Sequence, residues 1–585
     1  MVRDNKGVTG LVINNGSSTN ASALMQAADA DVIQMNKAAA SVTLNNYGTM
    51  TSLNASKGGA QTIDFAAIQS GSNVVCNYAT GVIQAQDADA VRPGVNGEVN
   101  NWGTIRATNT TDTGADSIDA QNNTGVTISN YATGSITGAR HGITGGAKAA
   151  VDTFTTTIIN AGTITGNDGG GINLDGFNAN QTATITNSGT ISGNGVTGDG
   201  DGIDADGVVN ITNTGIIRSV NAYSSDSSAP AQSEGITAGG GTITNSGTIE
   251  GLVASGNTNA VGRGITLAGV DTSGTPEAIY ANSVITNQSG GLLRGQSDSA
   301  IVVGGPASGF TVTIDNHAGA TIQGGGSSNA AIRTGADNDT IINAGIIDGF
   351  SSGKAIDMGA GNNTLTISGG SASVLGNING GVDGSNTMTL DPGAGNSFAY
   401  GGSISNFDTV EIISGIVTLS GVSDSIGTTL LSGGILQLDG VDRLSSGSLL
   451  ALNGGELEIL NAGGADGQTF ASLALIDNST IDLNATALTF NGLGIIGKGL
   501  NLSLMDFLGT PSLDYAFRLA GDYSTDADFL RLMSGTTING GAVAFSFDGS
   551  YTEVSGAPVP EPATFAMMIT GLSLMTAMVR RKGKS

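Results

Sequence analysis

The chain has 585 residues with 94 glycines and only 9 prolines, and 48 Asp plus Glu against 21 Lys plus Arg give a formal net charge of −27. So much glycine without matching proline excludes collagen and a proline-rich coil. An apolar share of 39% excludes a disordered acidic chain, and the charge repels nucleic-acid phosphate, so no nucleic-acid partner is expected, while giving the surface affinity for divalent cations.

One cysteine, Cys76, rules out an intrachain disulfide, and two histidines, His141 and His317, rule out a multi-histidine centre. Cys76 stands just before Asn77 and is read as a small buried apolar residue rather than a reactive thiol. The N-terminal stretch Met1-Val2-Arg3-Asp4-Asn5-Lys6 carries no apolar leader.

From there the chain repeats. Thr184-Ile185-Thr186-Asn187-Ser188-Gly189-Thr190-Ile191 returns unchanged at Thr242 to Ile249, and degenerate copies mark Asn46, Asn77, Asn101, Asn130, Asn160, Asn187, Asn213, Asn245, Asn287, Asn316 and Asn343. Their mean spacing is about 30 residues, within the range of stacked repeats. A second apolar pulse falls between markers, as in Gly171-Ile172-Asn173-Leu174 and Gly264-Ile265-Thr266-Leu267. Short alternating runs separated by Gly, Asn and Asp turns, without helical periodicity, predict two or three strands per coil.

The fold class expected is therefore all-β, a right-handed parallel β-helix (β-solenoid) with coils about 4.8 Å apart. The recurring Asn is expected to form a stacked polar ladder, and the following Gly to permit a left-handed corner. The long interval from Asn245 to Asn287 reads as one coil plus a surface insertion.

The densest acidic cluster is Asp199-Gly200-Asp201-Gly202-Ile203-Asp204-Ala205-Asp206. It lacks the twelfth-position Glu and the flanking helices of an EF-hand, but carboxylates on adjoining turns are calcium ligands. Asp199, Asp201, Asp204 and Asp206 are the candidate metal residues, with calcium the one cofactor considered. Asp204 and Asp206, two apart on one strand, would also suit a glycosidase pair, yet no aromatic platform or basic group accompanies them. Gly335-Ala336-Asp337-Asn338-Asp339 and Gly359-Ala360-Gly361-Asn362-Asn363 faintly resemble nonapeptide calcium repeats but are too few for that array. No nucleophile elbow or phosphate loop is present, so catalysis is not expected.

Near residue 365 the period shortens: Gly415-Ile416-Val417, Gly434-Ile435-Leu436 and Gly455-Glu456-Leu457 recur at about 20 residues. The domains expected are residues 1–364 with about 30-residue coils, 365–500 with about 20-residue coils, an aromatic-rich β cap over 501–556, and a sorting tail over 557–585. Phe507, Tyr515, Phe517, Tyr523, Phe529, Phe545, Phe547 and Tyr551 mark the cap.

The tail reads Pro560-Glu561-Pro562, then an uncharged stretch from Ala563 to Val579, then Arg580-Arg581-Lys582. As a helix that stretch would be about 25 Å long, the short end of what crosses a bilayer. The cations after it belong on the cytoplasmic side. This order of features resembles the PEP-CTERM sorting signal of exported Gram-negative proteins, with Phe565 in place of the usual Trp. The resemblance implies recognition through Pro560, Glu561 and Pro562, membrane retention by the apolar span, and stop-transfer by Arg580, Arg581 and Lys582. It also implies an exosortase as processing partner, a transient stay in the inner membrane, and an exopolysaccharide-secreting host. Since such proteins are exported, the true start is expected to lie upstream of Met1. The repeats are similar, more weakly, to autotransporter passenger repeats.

The function expected is a non-enzymatic, exported, adhesin-like or matrix rod, located in the envelope, on the outer surface or in the extracellular matrix, with exopolysaccharide as a further partner. Two alternatives remain: a β-helix polysaccharide lyase or glycosidase, and a calcium-binding surface display module.

Overall fold

Alternation with period two puts Ile185 inward and Thr184 and Thr186 outward in the strand Gln181–Asn187, and the same pattern repeats once per coil. In the computed structural model the described residues are 1–55, 59–108, 114–149, 151–176, 179–195, 200–226, 228, 230–270, 276–424, 426–461, 467–506, 517–557, 572, 573 and 575. They divide into two units, Met1–Leu430 and Leu431–Ser585.

From Val2 to Leu375 in the first unit, each coil gives one strand to each of three parallel sheets, and these strands pair with their counterparts one coil on. This is the ladder pattern of a β-solenoid. The first sheet runs from Val2–Asp4 to Ile404–Ser405 and has 15 strands; the third runs from Leu24–Ala27 to Ser373–Leu375 and has 13. Between them in chain order, the second begins at Leu11–Asn15 and reaches Phe407–Ile412.

The core is a set of apolar columns. In the first sheet Ile143, Ile172, Ile203, Ile236 and Ile265 pair in sequence, each at most 1% exposed. Burying such a side chain stabilises by roughly 1.5–3 kcal/mol.

The second sheet ends every coil on an inward Asn. Twelve asparagines, from Asn15 to Asn343, pass one amide hydrogen bond to the next. Asn15 donates to Asn46 at 2.7 Å, Asn101 to Asn130 at 2.8 Å, Asn187 to Asn213 at 2.8 Å, Asn245 to Asn287 at 2.9 Å and Asn316 to Asn343 at 2.8 Å. All are at most 3% exposed. Each Nδ2 also reaches main-chain carbonyls, as Asn187 does to Gly189 at 3.2 Å and Ile216 at 3.1 Å. A buried amide is tolerated because its partners are complete.

Three of the glycines after these asparagines serve a different purpose from the one expected, whereas Gly16, Gly290 and Gly319 do take left-handed backbone. Gly189, Gly215 and Gly247 do not have positive φ. A Cβ on any of them would lie 2.1 Å from the carbonyl oxygen of the equivalent glycine one coil earlier, Gly162, Gly189 and Gly215 respectively. At these three corners the requirement is a missing side chain, so that coils can approach, rather than left-handed backbone.

Other corners use carboxylates. Asp89 Oδ1 accepts from the Asp116 N–H at 3.0 Å, Asp116 Oδ1 from His141 N–H at 2.9 Å, and Asp201 Oδ1 from Glu234 N–H at 2.6 Å. His141 joins the same series, its Nδ1 accepting from Gly170 N–H at 2.8 Å. At the entry to the second sheet, Asp339 accepts from Val312 N–H, Asn363 from Asp339 N–H, Asn386 from Asn363 N–H and Asp408 from Asn386 N–H. The stretches resembling nonapeptide calcium repeats supply this ladder.

The 42 residues between Asn245 and Asn287 include an antiparallel pair, Gly269–Val270 with Pro276–Glu277, set aside from the parallel sheets. Beyond Asn343 the Asn column ends, because Ile367 takes the next position, and partners such as Thr364 and Thr387 are 23 residues apart.

The second unit also has parallel sheets. One runs through Ile435–Asp439, Glu456–Leu460, Ser479–Asp482, Leu502–Met505 and Thr536–Ile538, and Gln437 and Glu458 on it are 21 residues apart. Parallel pairing then gives way to antiparallel: Tyr551–Gly556 pairs with both Phe517–Ala520 and Gly541–Phe547, so the ladder edge is covered. A helix, Ala527–Gly535, stands where only β structure was expected. Asp526 caps it by accepting from Asp528 and Phe529 N–H, and Phe529, Leu532 and Met533 bury one face.

Among the described residues no helix is long and apolar enough to cross a membrane. The expected span Ala563 to Val579 lies outside them except for Leu572, Ser573 and Met575.

Interrupting the Asn column should be costly. Asn187→Ala removes the acceptor of Asn160 Nδ2 and the side-chain donor to Asn213 Oδ1, both at most 1% exposed, and should destabilise by about 1–3 kcal/mol in urea melts. Asn15→Ala, at the column's end, should lose less; equal losses would contradict a continuous column.

Candidate functional site

The outward positions of the first sheet carry a row of alternating charges. Arg3, Gln34, Asp64, Arg92 and Asp119 succeed one another in register, so opposite signs mostly adjoin, as cross-strand electrostatics favours. Farther along, Arg263 is held by Glu234 at 3.2 Å and Asp298 at 2.8 Å, and Arg333 reaches Asp298 at 3.2 Å.

On this face, next to the strands Ile118–Asp119 and Ile143–Gly146, lies a cavity of about 450 Å3. Asp116, Asp119, Gln121, Asn122, Arg140, Thr144, Lys148 and Asp175 line it with the backbone of Gly145 to Ala147. Asp116 grips the Arg140 guanidinium at 3.1 and 2.7 Å. Asp119, its side chain 16% exposed, accepts from Gln121 N–H at 2.7 Å and faces Arg92 Nε at 3.5 Å. Burial, and then the charge of Asp89, push its carboxyl up to about 7 although Arg92 acts the other way. Burial, and then Arg140, push His141 down to about 4. A carboxyl raised by burial, lying in a cavity beside cations, makes this a candidate ligand site.

A second grouping lies in the second unit. Carboxylate oxygens of Glu456, Glu458 and Asp482 lie within 4.8 Å of one another. Gln437 donates to Glu458 at 2.7 Å, while burial and then the charges of Glu458 and Asp482 raise Glu456. Strand alternation put Glu456 and Glu458 on one face, and the next coil added Asp482.

The acidic residues singled out in the sequence are placed differently. Asp199 lies outside the described residues. Asp201 is 2% exposed and gives its carboxylate to Glu234 N–H and to Thr237 Oγ1 at 2.6 Å. Asp206 lies just past the strand Ile203–Ala205 that carries Asp204 and accepts from Gly176 N–H at 2.9 Å. Asp201, Asp204 and Asp206 do not converge as a set of three. The tail residues Pro560, Glu561, Pro562, Phe565, Arg580, Arg581 and Lys582 lie outside the described residues.

Cys76 is half-exposed on the outward side of the second sheet rather than buried, since inward positions alternate and Asn77 takes the next one. Burial and Glu98 hold its thiol above the ordinary range. Alongside, Tyr47, Tyr78, Trp102 and Tyr131 stack as a column with centroids 4.1 to 5.6 Å apart. Their faces cover one another, so the column is a corner brace and not an open platform for sugar rings.

Set against known protein families, curated proteins and solved structures, the chain matches none of them.

Because His141 Nδ1 accepts a backbone hydrogen bond and its folded value is depressed to about 4, its contribution is present above about pH 6.5 and lost as pH falls toward 4. That loss is about 3 kcal/mol by linkage. His141→Asn keeps a side-chain acceptor without the titration. Its urea-melt stability should therefore fall less than the wild type's between neutral pH and pH 4, and identical slopes would refute the assignment.

Proposed function

We propose that this chain is an exported structural or adhesin-like protein of the cell surface or extracellular matrix. In this reading its coils wind as a right-handed parallel β-helix closed by the C-terminal β cap. A hydrophobic C-terminal helix holds the precursor in the inner membrane until an exosortase removes the PEP-CTERM-like tail.

The supporting observation is the unbroken column of amide hydrogen bonds from Asn15 to Asn343, a device for stiffness and length that offers no catalytic group. Order of features in the tail supports delivery: Pro560-Glu561-Pro562, an uncharged stretch, then Arg580-Arg581-Lys582. Exopolysaccharide is the partner such a surface protein would meet.

Fractionation of the native organism, probed with an antibody to the repeats, tests this. The wild type should appear in the envelope or matrix at a size lacking the tail, and Pro560→Ala with Glu561→Ala should retain the tail in the inner membrane. A full-length product confined to the cytosol would overturn the proposal.

A further inference from the structure

We propose that the cavity beside Asp119 binds a carboxylated sugar unit of an acidic polysaccharide. Its wall is polar, with the Ala147 methyl as the one aliphatic side chain, which disfavours an apolar ligand or a flat aromatic cofactor. Its volume, about 450 Å3, falls within the range of small-ligand sites, roughly 300–1,000 Å3, and suits one or two sugar rings.

A sugar ring presents hydroxyls that donate and accept side by side. Gln121 offers a carboxamide, Asp175 an exposed carboxylate, and Asp119 a carboxyl able to donate while protonated. A carboxylate on the ring needs cations. Lys148 is exposed and makes no ion pair among the described residues, and the Arg140 side chain stays 43% exposed although one edge of it holds Asp116. Lying on a sheet face, the site needs no chain end, so an internal unit of a polymer can enter.

Protonation of Asp119 sets the pH dependence. The groups around it are Asp64, Asp89 and Arg92 on earlier coils, Asp116 on its own, and Arg140, His141, Lys148 and Asp175 on later ones. His141 is already neutral well below this range. When Asp119 ionises as pH rises through about 7, a donor becomes an anion facing the ligand's own carboxylate, and affinity falls.

This inference extends the surface-protein reading by naming a partner chemistry and rests on it only for where the ligand is met. Titration of the purified full chain therefore stands or falls apart from export. Calorimetry with trigalacturonate, and with uncharged maltotriose as control, should give saturable binding of the acidic sugar near pH 6, several-fold weaker near pH 8. Lys148→Glu, at an exposed position, should weaken binding about ten-fold, and Asp119→Asn should bind equally at both pH values. No saturable trigalacturonate binding, equal affinity for maltotriose, or wild-type binding by Lys148→Glu would overturn it.

Discussion

The constraint on which the first unit depends is that a buried asparagine has no water to turn to, so each coil must present its amide in register with the next. A carboxamide carries both donor and acceptor, which lets one residue type satisfy itself indefinitely along a column. Aligned amides also polarise one another, so the interior of the column is stronger than its ends. The glycines that follow allow the coils to come close, and the Ile columns then bury the remaining surface. Slipping the register by one residue would send Asn out and Thr in, so the column sets alignment as well as stability.

The same logic accounts for much of the acidity. Asp89, Asp116 and Asp201 are spent at corners, each taking a backbone N–H from the coil above it. They are therefore committed to the backbone and only secondarily available to a ligand. What remains on the outward face of the first sheet is a mixed set of charges, and around Asp119 those charges surround a space. There the requirements of stacking and of binding diverge: a carboxyl is kept half-buried against other acids, at a cost the surrounding coils offset.

Much of the coil was legible from Thr184 to Ile191 alone, because alternation, the inward Asn and the following Gly all lie within those eight residues. Asn15 is not legible as the start of the column because Gly16 is not followed by Thr-Ile. The close approach that Gly189, Gly215 and Gly247 permit leaves no trace in the local sequence, whereas the left-handed corners at Gly16, Gly290 and Gly319 follow from glycine itself. The helix at Ala527 was legible in Asp526 with Phe529, Leu532 and Met533, but nine residues are little against a long β pattern. The Asp119 cavity was not legible, because its members come from three coils and meet only through register. The Asp201 cluster shows the converse: local density of carboxylates does not reveal that Asp201 is taken up by Glu234 N–H and Thr237 Oγ1.

Pulsed electron–electron distances between spin labels on outward positions of the second sheet test the stacking most directly. Thr127 lies four coils from Thr242 and seven from Thr340. At about 4.8 Å per coil the separations should be about 20 Å and about 34 Å, narrow and proportional to coil number. Broad distributions, or a separation that does not grow with coil number, would contradict the account.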